Sequence, residues 1–103
     1  MAIKKELRLN RKKDIEEIKE KGEFVRTPLF SVLKMEKDEL KVGIVVSKKV
    51  ESRAVDRNKI RRKLSQVIGV NVKKMKGWYL FLAKKELLES KIEEIEKCLE
   101  KSF

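Results

Sequence analysis

The feature of this sequence that most constrains its fold is a strongly basic segment, residues 47–68, with the sequence SKKVESRAVDRNKIRRKLSQVI. From Lys48 to Lys63 it contains eight basic residues and two acidic ones. Charges at this density cannot be buried on all sides, because an unpaired charge is expensive to remove from water. Three apolar residues nevertheless recur at helical spacing: Ile60, Leu64 and Val67. The pattern predicts a helix over about 53–69, or on toward residue 76, with one apolar stripe and a charged outer face.

The positive charge is concentrated in one region of the chain. The 103 residues carry a net charge of +11. Residues 48–63 contribute +6 and residues 64–85 contribute +5, which together equal the charge of the whole chain. A localised positive field favours polyanionic partners, either nucleic acid or an anionic membrane. No apolar run approaches the roughly 20 residues of a membrane-spanning helix, so nucleic acid is the expected partner.

The length and the cysteine content narrow the class of protein further. A chain of 103 residues fits one domain, and we expect residues 1–103 to form it. One cysteine, Cys98, excludes an internal disulfide and is consistent with a reducing cytoplasm. The N-terminus, MAIKKELRLN, has no apolar signal region, so we expect a cytoplasmic protein.

The apolar pattern predicts an α+β sandwich with elements in the order α-β-β-α-β-α. The first helix is predicted over about 11–21, with Asn10 as its N-cap and Gly22 as its stop. Two strands are predicted over about 24–35 and 40–48, with Pro28 on an edge or at a bulge.

The second half of the chain predicts a helix, a strand and a final helix. The segment KGWYLFLAKK is predicted as the third strand, with Gly77 at its start. Ser90 and Glu93 match a capping box for a final helix with an apolar stripe. In the second strand, Gly43 is predicted on the face opposite Val42, where it either admits a ligand close to the backbone or marks a bulge.

Around the basic helix, side chains placed at intervals of about 100° separate into a core stripe and a polar face. The polar face consists of Arg57, Asn58, Arg61, Arg62 and Ser65. Lys59 and Lys63 lie on the far side of the core stripe. Lys48, Lys49 and Arg53 extend the basic surface from the sheet edge. Arginine presents a planar fork of donors to phosphate oxygens and lysine a point charge, so this pattern favours a polyphosphate.

The sequence offers no set of residues for independent catalysis. It contains no histidine and no Gly-rich phosphate loop. It also lacks the Cys/His spacing of a metal site, and Cys98 is predicted to be a small buried side chain. We therefore expect no catalytic residue, metal ligand, protein-bound cofactor or small-molecule substrate.

The segment KVGIVVSKKVESRAVDRNKIRRKLSQVI resembles the bacterial ribonuclease P protein component. That family has a strand ending in S-K-K, a short junction, and a helix opening with R-N-R-x-K-R. Here the helix opens with Arg57-Asn58-Lys59-Ile60-Arg61-Arg62, which contains two Arg/Lys exchanges. The segments LNRKKDIEEIKEKG, TPLFSVLKM and GWYLFLAKKELLE extend the resemblance over nearly the whole chain.

The resemblance implies a left-handed β-α-β crossover, an exception to the usual handedness, in a fold also found among ribosomal proteins. It implies the small, monomeric subunit of a ribonucleoprotein endonuclease, a hydrolase that removes the 5′ leader from precursor tRNA. In that family the RNA subunit holds the catalytic Mg²⁺ ions and hydrolyses the phosphodiester. The basic helix binds that RNA, here through Lys48, Lys49, Arg53, Arg57, Asn58, Lys59, Arg61, Arg62 and Ser65.

The resemblance also implies a leader-binding cleft between the first helix and the sheet. Relatives often carry aromatic residues there for base stacking, whereas Ile15, Lys19 and Leu33 stand at these positions here. The expected leader-binding residues are Arg11, Lys12, Ile15, Lys19, Phe30 and Leu33. The junction VESRAV is longer than in many relatives and lacks their Gly-Asn pair, so Arg53 is expected to add a phosphate contact.

Two other functions fit a localised basic surface. A structural RNA-binding protein of ribosomal type would have the same composition, and the order S-K-K, junction, R-N-K-x-R-R favours ribonuclease P over it. A DNA-binding helix is less favoured, because the sequence shows no dimerising heptads that would set half-sites.

Overall fold

The computed structural model describes residues 7–9, 11–49 and 51–101. In this part of the chain, three α-helices and four β-strands follow one another in the order α-β-β-β-α-β-α. Their bounds are α1 Lys12–Lys21, β1 Glu23–Arg26, β2 Phe30–Met35, β3 Lys41–Val45, α2 Ala54–Asn71, β4 Trp78–Ala83 and α3 Ile92–Glu100. Short 3₁₀ helices lie at Val72–Lys74 and Lys85–Glu89. The predicted α+β fold class is confirmed.

The strand predicted over 24–35 is wrong, because a tight turn divides it into β1 and β2. The Thr27 hydroxyl donates to the carbonyl of Phe30 at 2.6 Å and accepts from the Phe30 amide at 3.1 Å. Pro28 lies inside this turn, where its missing amide leaves no gap in the sheet. The two strands pair antiparallel, with Phe24 opposite Leu33. Apolar residues continue on both sides of the turn, which is why the pattern suggested one long strand.

The four strands form one sheet in the order β1-β2-β4-β3. β2 runs antiparallel to both β1 and β4, whereas β3 and β4 are parallel. Helix α2 connects the parallel pair, so the predicted β-α-β crossover is present. Gly77, at the start of β4, has φ +102°, which explains the glycine at this position.

Each face of the sheet carries its own apolar cluster. The larger cluster joins Val32 and Phe81 of the sheet to Ile60 and Leu64 of α2 and to Ile95 of α3. The smaller cluster lies on the opposite face, beneath α1. Its buried members are Leu9, Ile18, Trp78 and Leu80, with Ile15, Leu33, Met35 and Leu82 partly buried around them. The stripe predicted for α2 is therefore confirmed as its core side.

The helix ends confirm some of the predicted signals and correct others. Gly22 ends α1: its amide donates to the carbonyl of Ile18 at 2.8 Å, and a Cβ at Gly22 would lie 2.4 Å from that oxygen. Asn10, the predicted N-cap, is outside the described residues. The capping box at Ser90 is wrong, because the Ser90 hydroxyl donates back to the carbonyl of Glu86 at 2.8 Å and α3 begins at Ile92.

Position 43 requires a glycine because the N-terminal segment of the chain itself crosses it. A Cβ at Gly43 would lie 2.8 Å from the carbonyl oxygen of Leu9. The Leu9 amide donates to the carbonyl of Val42 at 2.8 Å, and Arg8 forms a parallel bridge with Val42. The pairing of β3 with β4 continues through Gly43 without a bulge. Both predicted explanations of Gly43, a close ligand and a bulge, are therefore wrong.

Candidate nucleic-acid interface

The outer side of α2 carries polar side chains that no other described residue engages. Asn58, Arg61 and Arg62 are exposed. Within the part of the chain that the structure describes, none of the three has a hydrogen-bond or ion-pair partner among the side-chain contacts. Their positions follow from the core stripe, because Ile60 and Leu64 are fully buried on the opposite side of the helix. The structure thus confirms a solvent-facing polar surface here, with donors available to a ligand.

Arg57 differs from these three residues of the predicted face. It is half-buried, and its guanidinium Nη1 donates to the carbonyls of Glu51 at 3.1 Å and Ser52 at 2.9 Å. These bonds link the first turn of α2 to the junction that precedes the helix. Arg57 is therefore part of the local structure of the junction, and its guanidinium is not wholly available to an external phosphate.

Ser65 does not belong to the exposed face, and its predicted role in RNA binding is wrong. It is only 1% exposed. It lies one turn after Arg61, and only the longer arginine side chain reaches solvent from this side of the helix. The core side of α2 is consequently wider than the stripe of Ile60, Leu64 and Val67 suggested, and it also includes Asn71.

The remaining lysines of α2 divide into one exposed and one tethered side chain. Lys59 is 60% exposed on its side chain and lies 4.0 Å from the Asp56 carboxylate, a weak surface pair. The Lys63 ammonium donates to the main-chain carbonyls of Leu88 and Ser90. Lys63 therefore fastens the end of the second 3₁₀ helix to α2, whereas Lys59 extends the exposed surface.

Three further cations flank the N-terminal end of α2. Lys48 and Lys49 are exposed in the turn after β3, and Arg53 is exposed at the N-cap of α2. Together with Asn58, Lys59, Arg61 and Arg62 they form what we call the α2 basic surface. On the side of the 3₁₀ helix Lys85–Glu89, Asp56 and Glu89 line an open cleft of about 490 Å³ beside Arg62. These carboxylates limit the positive field on that side of the helix.

The residues expected in the leader cleft do not all lie together. Phe30 is fully buried in the cluster beneath α2 and α3, where its ring meets Phe81 edge-to-face at 5.4 Å. Its predicted role in leader binding is therefore wrong. Ile15 and Leu33 are partly buried on the other face, in the cluster beneath α1. Lys12 and Lys19 are exposed on α1 itself, and Arg11 is exposed at its N-cap.

The sequence reasoning missed Phe24, an aromatic side chain on the face that α1 covers. Phe24 pairs across the strands with Leu33, so both point to that face. Phe24 is 49% exposed, and the Arg26 guanidinium lies 5.7 Å from its ring centroid. The alternation of residues in β1 would have revealed Phe24, had the turn at Thr27 been recognised.

The site offers charge and hydrogen-bond donors, and the described residues add no metal centre. No group of three His, Cys, Asp or Glu residues in the described ranges could hold a metal ion. Across those same ranges, none of the helices has the length and apolar character needed to span a membrane. Chemically, the arrangement is suited to holding a polyanion.

The chain is a small, basic α+β protein in which the helix of a parallel β-α-β crossover presents arginines to solvent. Within that class, this chain belongs to the ribonuclease P protein family, since the family model described as Ribonuclease P matches residues 3–103. The resemblance noted in the sequence is thereby confirmed.

Individual relatives agree with the family match. The chain is 39% identical over 69 residues to the ribonuclease P protein component of Lactobacillus helveticus, covering 64% of this chain and 57% of that protein. The match thus spans little more than half the length of that curated relative. The RNase P protein of Staphylococcus aureus is 27% identical, with a TM-score of 0.79 and coverage of 92% of this chain and 90% of that chain. The RNase P protein of Thermotoga maritima shares the fold at 24% identity, with a TM-score of 0.79 over 92% of this chain and 93% of that chain.

Proposed function

We propose that this chain is the protein subunit of a ribonuclease P ribonucleoprotein. It binds the catalytic RNA and the 5′ leader of precursor tRNA, and it assists the Mg²⁺-dependent removal of that leader. The observation that carries this proposal is the exposed set Asn58, Arg61 and Arg62 on the crossover helix of a member of this family, a set without partners among the described residues.

The α2 basic surface binds the RNA subunit chiefly through phosphates. Arg61 and Arg62 each offer a planar fork that can pair with two phosphate oxygens, and Asn58 can donate to and accept from a 2′-hydroxyl. Lys48, Lys49 and Arg53 add charges at the sheet edge. Each neutralised phosphate releases counterions, so binding weakens as salt rises, with a slope near −0.9 per contact on duplex and about −0.7 on single strands.

The leader lies on the sheet face beside α1. Phe24 supplies an exposed ring on which one base can stack, and Arg26 adds a cation next to that ring. Leu33 and Ile15 form the partly buried apolar floor. Arg11, Lys12 and Lys19 attract the leader backbone from α1. With one exposed aromatic side chain among the described residues of this face, leader binding depends more on charge than on stacking.

In this ribonucleoprotein the RNA subunit carries out the hydrolysis. The RNA subunit binds the Mg²⁺ ions that activate water, and the protein contributes no catalytic residue and no cofactor. The protein instead screens the repulsion between two polyanions, the catalytic RNA and its substrate, and so lowers the Mg²⁺ concentration required. It works as a monomer within the ribonucleoprotein, in the cytoplasm.

Reconstitution tests this proposal. Purified protein is added to the catalytic RNA and a precursor tRNA at low Mg²⁺, and the release of the leader is followed with time. We expect faster cleavage than with RNA alone. Cleavage no faster than with RNA alone contradicts the proposal. Co-sedimentation with ribosomes, combined with no effect on precursor tRNA, would instead identify a structural protein of ribosomal type.

A further inference from the structure

The junction between β3 and α2 is held by a small network of polar contacts. The Glu51 amide donates to the carbonyl of Ser47 at 3.1 Å, and the Glu51 carboxylate Oε1 accepts from the Arg53 amide at 3.1 Å. From the helix side, Arg57 donates to the carbonyls of Glu51 and Ser52. One carboxylate and one guanidinium therefore both bond to the main chain of residues 51–53.

This network has a place in the α2 basic surface that charge alone does not explain. Glu51 is an acidic residue within the most basic stretch of the chain, where a carboxylate opposes the binding of a polyanion. Arg53, whose amide it accepts from, is exposed at the N-cap of α2 and begins the run of cations that continues to Arg62. A flexible junction would have to be ordered when RNA binds, which reduces the affinity.

We propose that Glu51 and Arg57 are positioning residues of the RNA-binding surface. They hold the main chain at Glu51–Arg53 so that Arg53 is fixed at the N-cap of α2, ahead of Arg61 and Arg62 on the helix, before RNA arrives. Arg57 thus strengthens RNA binding by acting through Arg53 and not chiefly by its own phosphate contact. This inference rests on the proposed function and concerns residues 51–53 of the chain's own junction.

The sign of the effect at Glu51 separates positioning from simple electrostatics. Replacing Glu51 by alanine removes a negative charge, so electrostatics alone makes RNA binding tighter. Positioning makes it weaker, because the Arg53 amide loses its acceptor. Glu51→Gln removes the same charge but keeps an oxygen that can accept from Arg53. Glu89→Ala is the matched control, because it removes an exposed carboxylate beside Arg62. The Glu89 side chain makes no hydrogen bond or ion pair within the described ranges.

The first experiment measures the dissociation constants of the full-length variants for the catalytic RNA at fixed salt. We expect Glu51→Ala to bind about threefold to tenfold more weakly than wild type, the effect of one lost hydrogen bond. Glu51→Gln and Glu89→Ala should bind as tightly as wild type or more tightly. Wild-type or tighter binding by Glu51→Ala overturns the inference, as does Glu51→Gln binding as weakly as Glu51→Ala.

A double-mutant cycle tests Arg57 and decides the matter if Glu51→Ala does not fold. Arg57→Gln and Arg53→Gln are measured singly and together. If Arg57 acts through Arg53, the double variant loses little more affinity than the single variant with the larger loss. The control cycle pairs Arg53→Gln with Arg61→Gln, whose exposed side chain has no described partner, and those losses should add. Additive losses in the Arg57 cycle overturn the inference.

Failure of this inference differs from failure of the proposed function. If wild-type protein neither binds the catalytic RNA nor accelerates precursor cleavage, the proposed function fails. If wild-type protein does both, and the Glu51 variants rank by charge alone, only the positioning inference fails. Circular dichroism melts of each variant confirm that the compared proteins are folded.

Discussion

Replacing Gly43 by alanine tests how the N-terminal segment is fastened to the sheet. The added Cβ would lie 2.8 Å from the carbonyl oxygen of Leu9 and 3.0 Å from Leu80 Cδ1. The first of these atoms is main chain and cannot rotate away, so either the N-terminal segment or β3 must move. Overpacking of this kind destabilises by about 1–3 kcal/mol.

The size of the effect has an upper bound in the burial of Leu9. If the segment detaches, the protein loses the bond from the Leu9 amide to Val42, worth about 0.5–1.5 kcal/mol. It also exposes the Leu9 side chain, now 3% accessible, whose full burial contributes about 1.5–3 kcal/mol. Detachment therefore destabilises by about 2–4.5 kcal/mol, and this limits the effect because the segment detaches wherever overpacking would destabilise more. We expect Gly43→Ala to lower the free energy of unfolding by about 1–3 kcal/mol.

Thermal or urea unfolding measures this, since each kcal/mol lowers the Tm of a domain of this size by about 4–8 °C. Leu9→Ala combined with Gly43→Ala should destabilise less than the sum of the two single changes, because both loosen the same segment. The control cycle pairs Gly43→Ala with Ile60→Ala, which lies in the other apolar cluster, and should be additive. Wild-type stability in Gly43→Ala, or additivity with Leu9→Ala, would refute the explanation of Gly43.

Two further predictions concern the two faces of the sheet. Ile60→Ala should lower the free energy of unfolding by about 2–5 kcal/mol. Val55 lies on the same helix but is 66% exposed, so Val55→Ala should change it by about 0.5 kcal/mol or less. Equal effects in urea unfolding would contradict the assigned core side of α2. Phe24→Ala should weaken binding of a precursor tRNA by about 1–3 kcal/mol and leave binding of a tRNA without a leader unchanged. An equal loss for both RNAs would remove Phe24 from the leader surface.

The elements that were predictable from the sequence are those with a strong apolar period. The sequence predicts the crossover helix over 53–69, or on toward residue 76, and the helix spans Ala54–Asn71; Ile60, Leu64 and Val67 mark its core side without ambiguity. The strand after Gly77 was equally clear. The polar face was predictable at Asn58, Arg61 and Arg62, whose exposure follows directly from the position of that core side.

The parts that were not predictable depend on contacts between distant or competing groups. A helical wheel assigns Arg57 and Ser65 to the exposed face. It does not show the junction carbonyls to which Arg57 donates, nor how wide the buried side of the helix is. The turn at Thr27 depends on one side-chain hydroxyl within an otherwise strand-like run. Phe30 lies in the core and not among the leader contacts, because that turn sets which face of the sheet each residue of β2 occupies.

The central claim is that the exposed arginines of α2 bind RNA phosphates, and the salt dependence of binding tests it most directly. The variant Arg61→Gln/Arg62→Gln is compared with Lys97→Gln/Lys101→Gln, which makes the same change of charge at two exposed positions near the end of the chain. We predict that the arginine variant weakens binding to the catalytic RNA and reduces the slope of log K against log salt by about 1.4–1.8. The lysine variant should leave the slope close to that of wild type. Equal losses of affinity and slope in the two variants would contradict the claim.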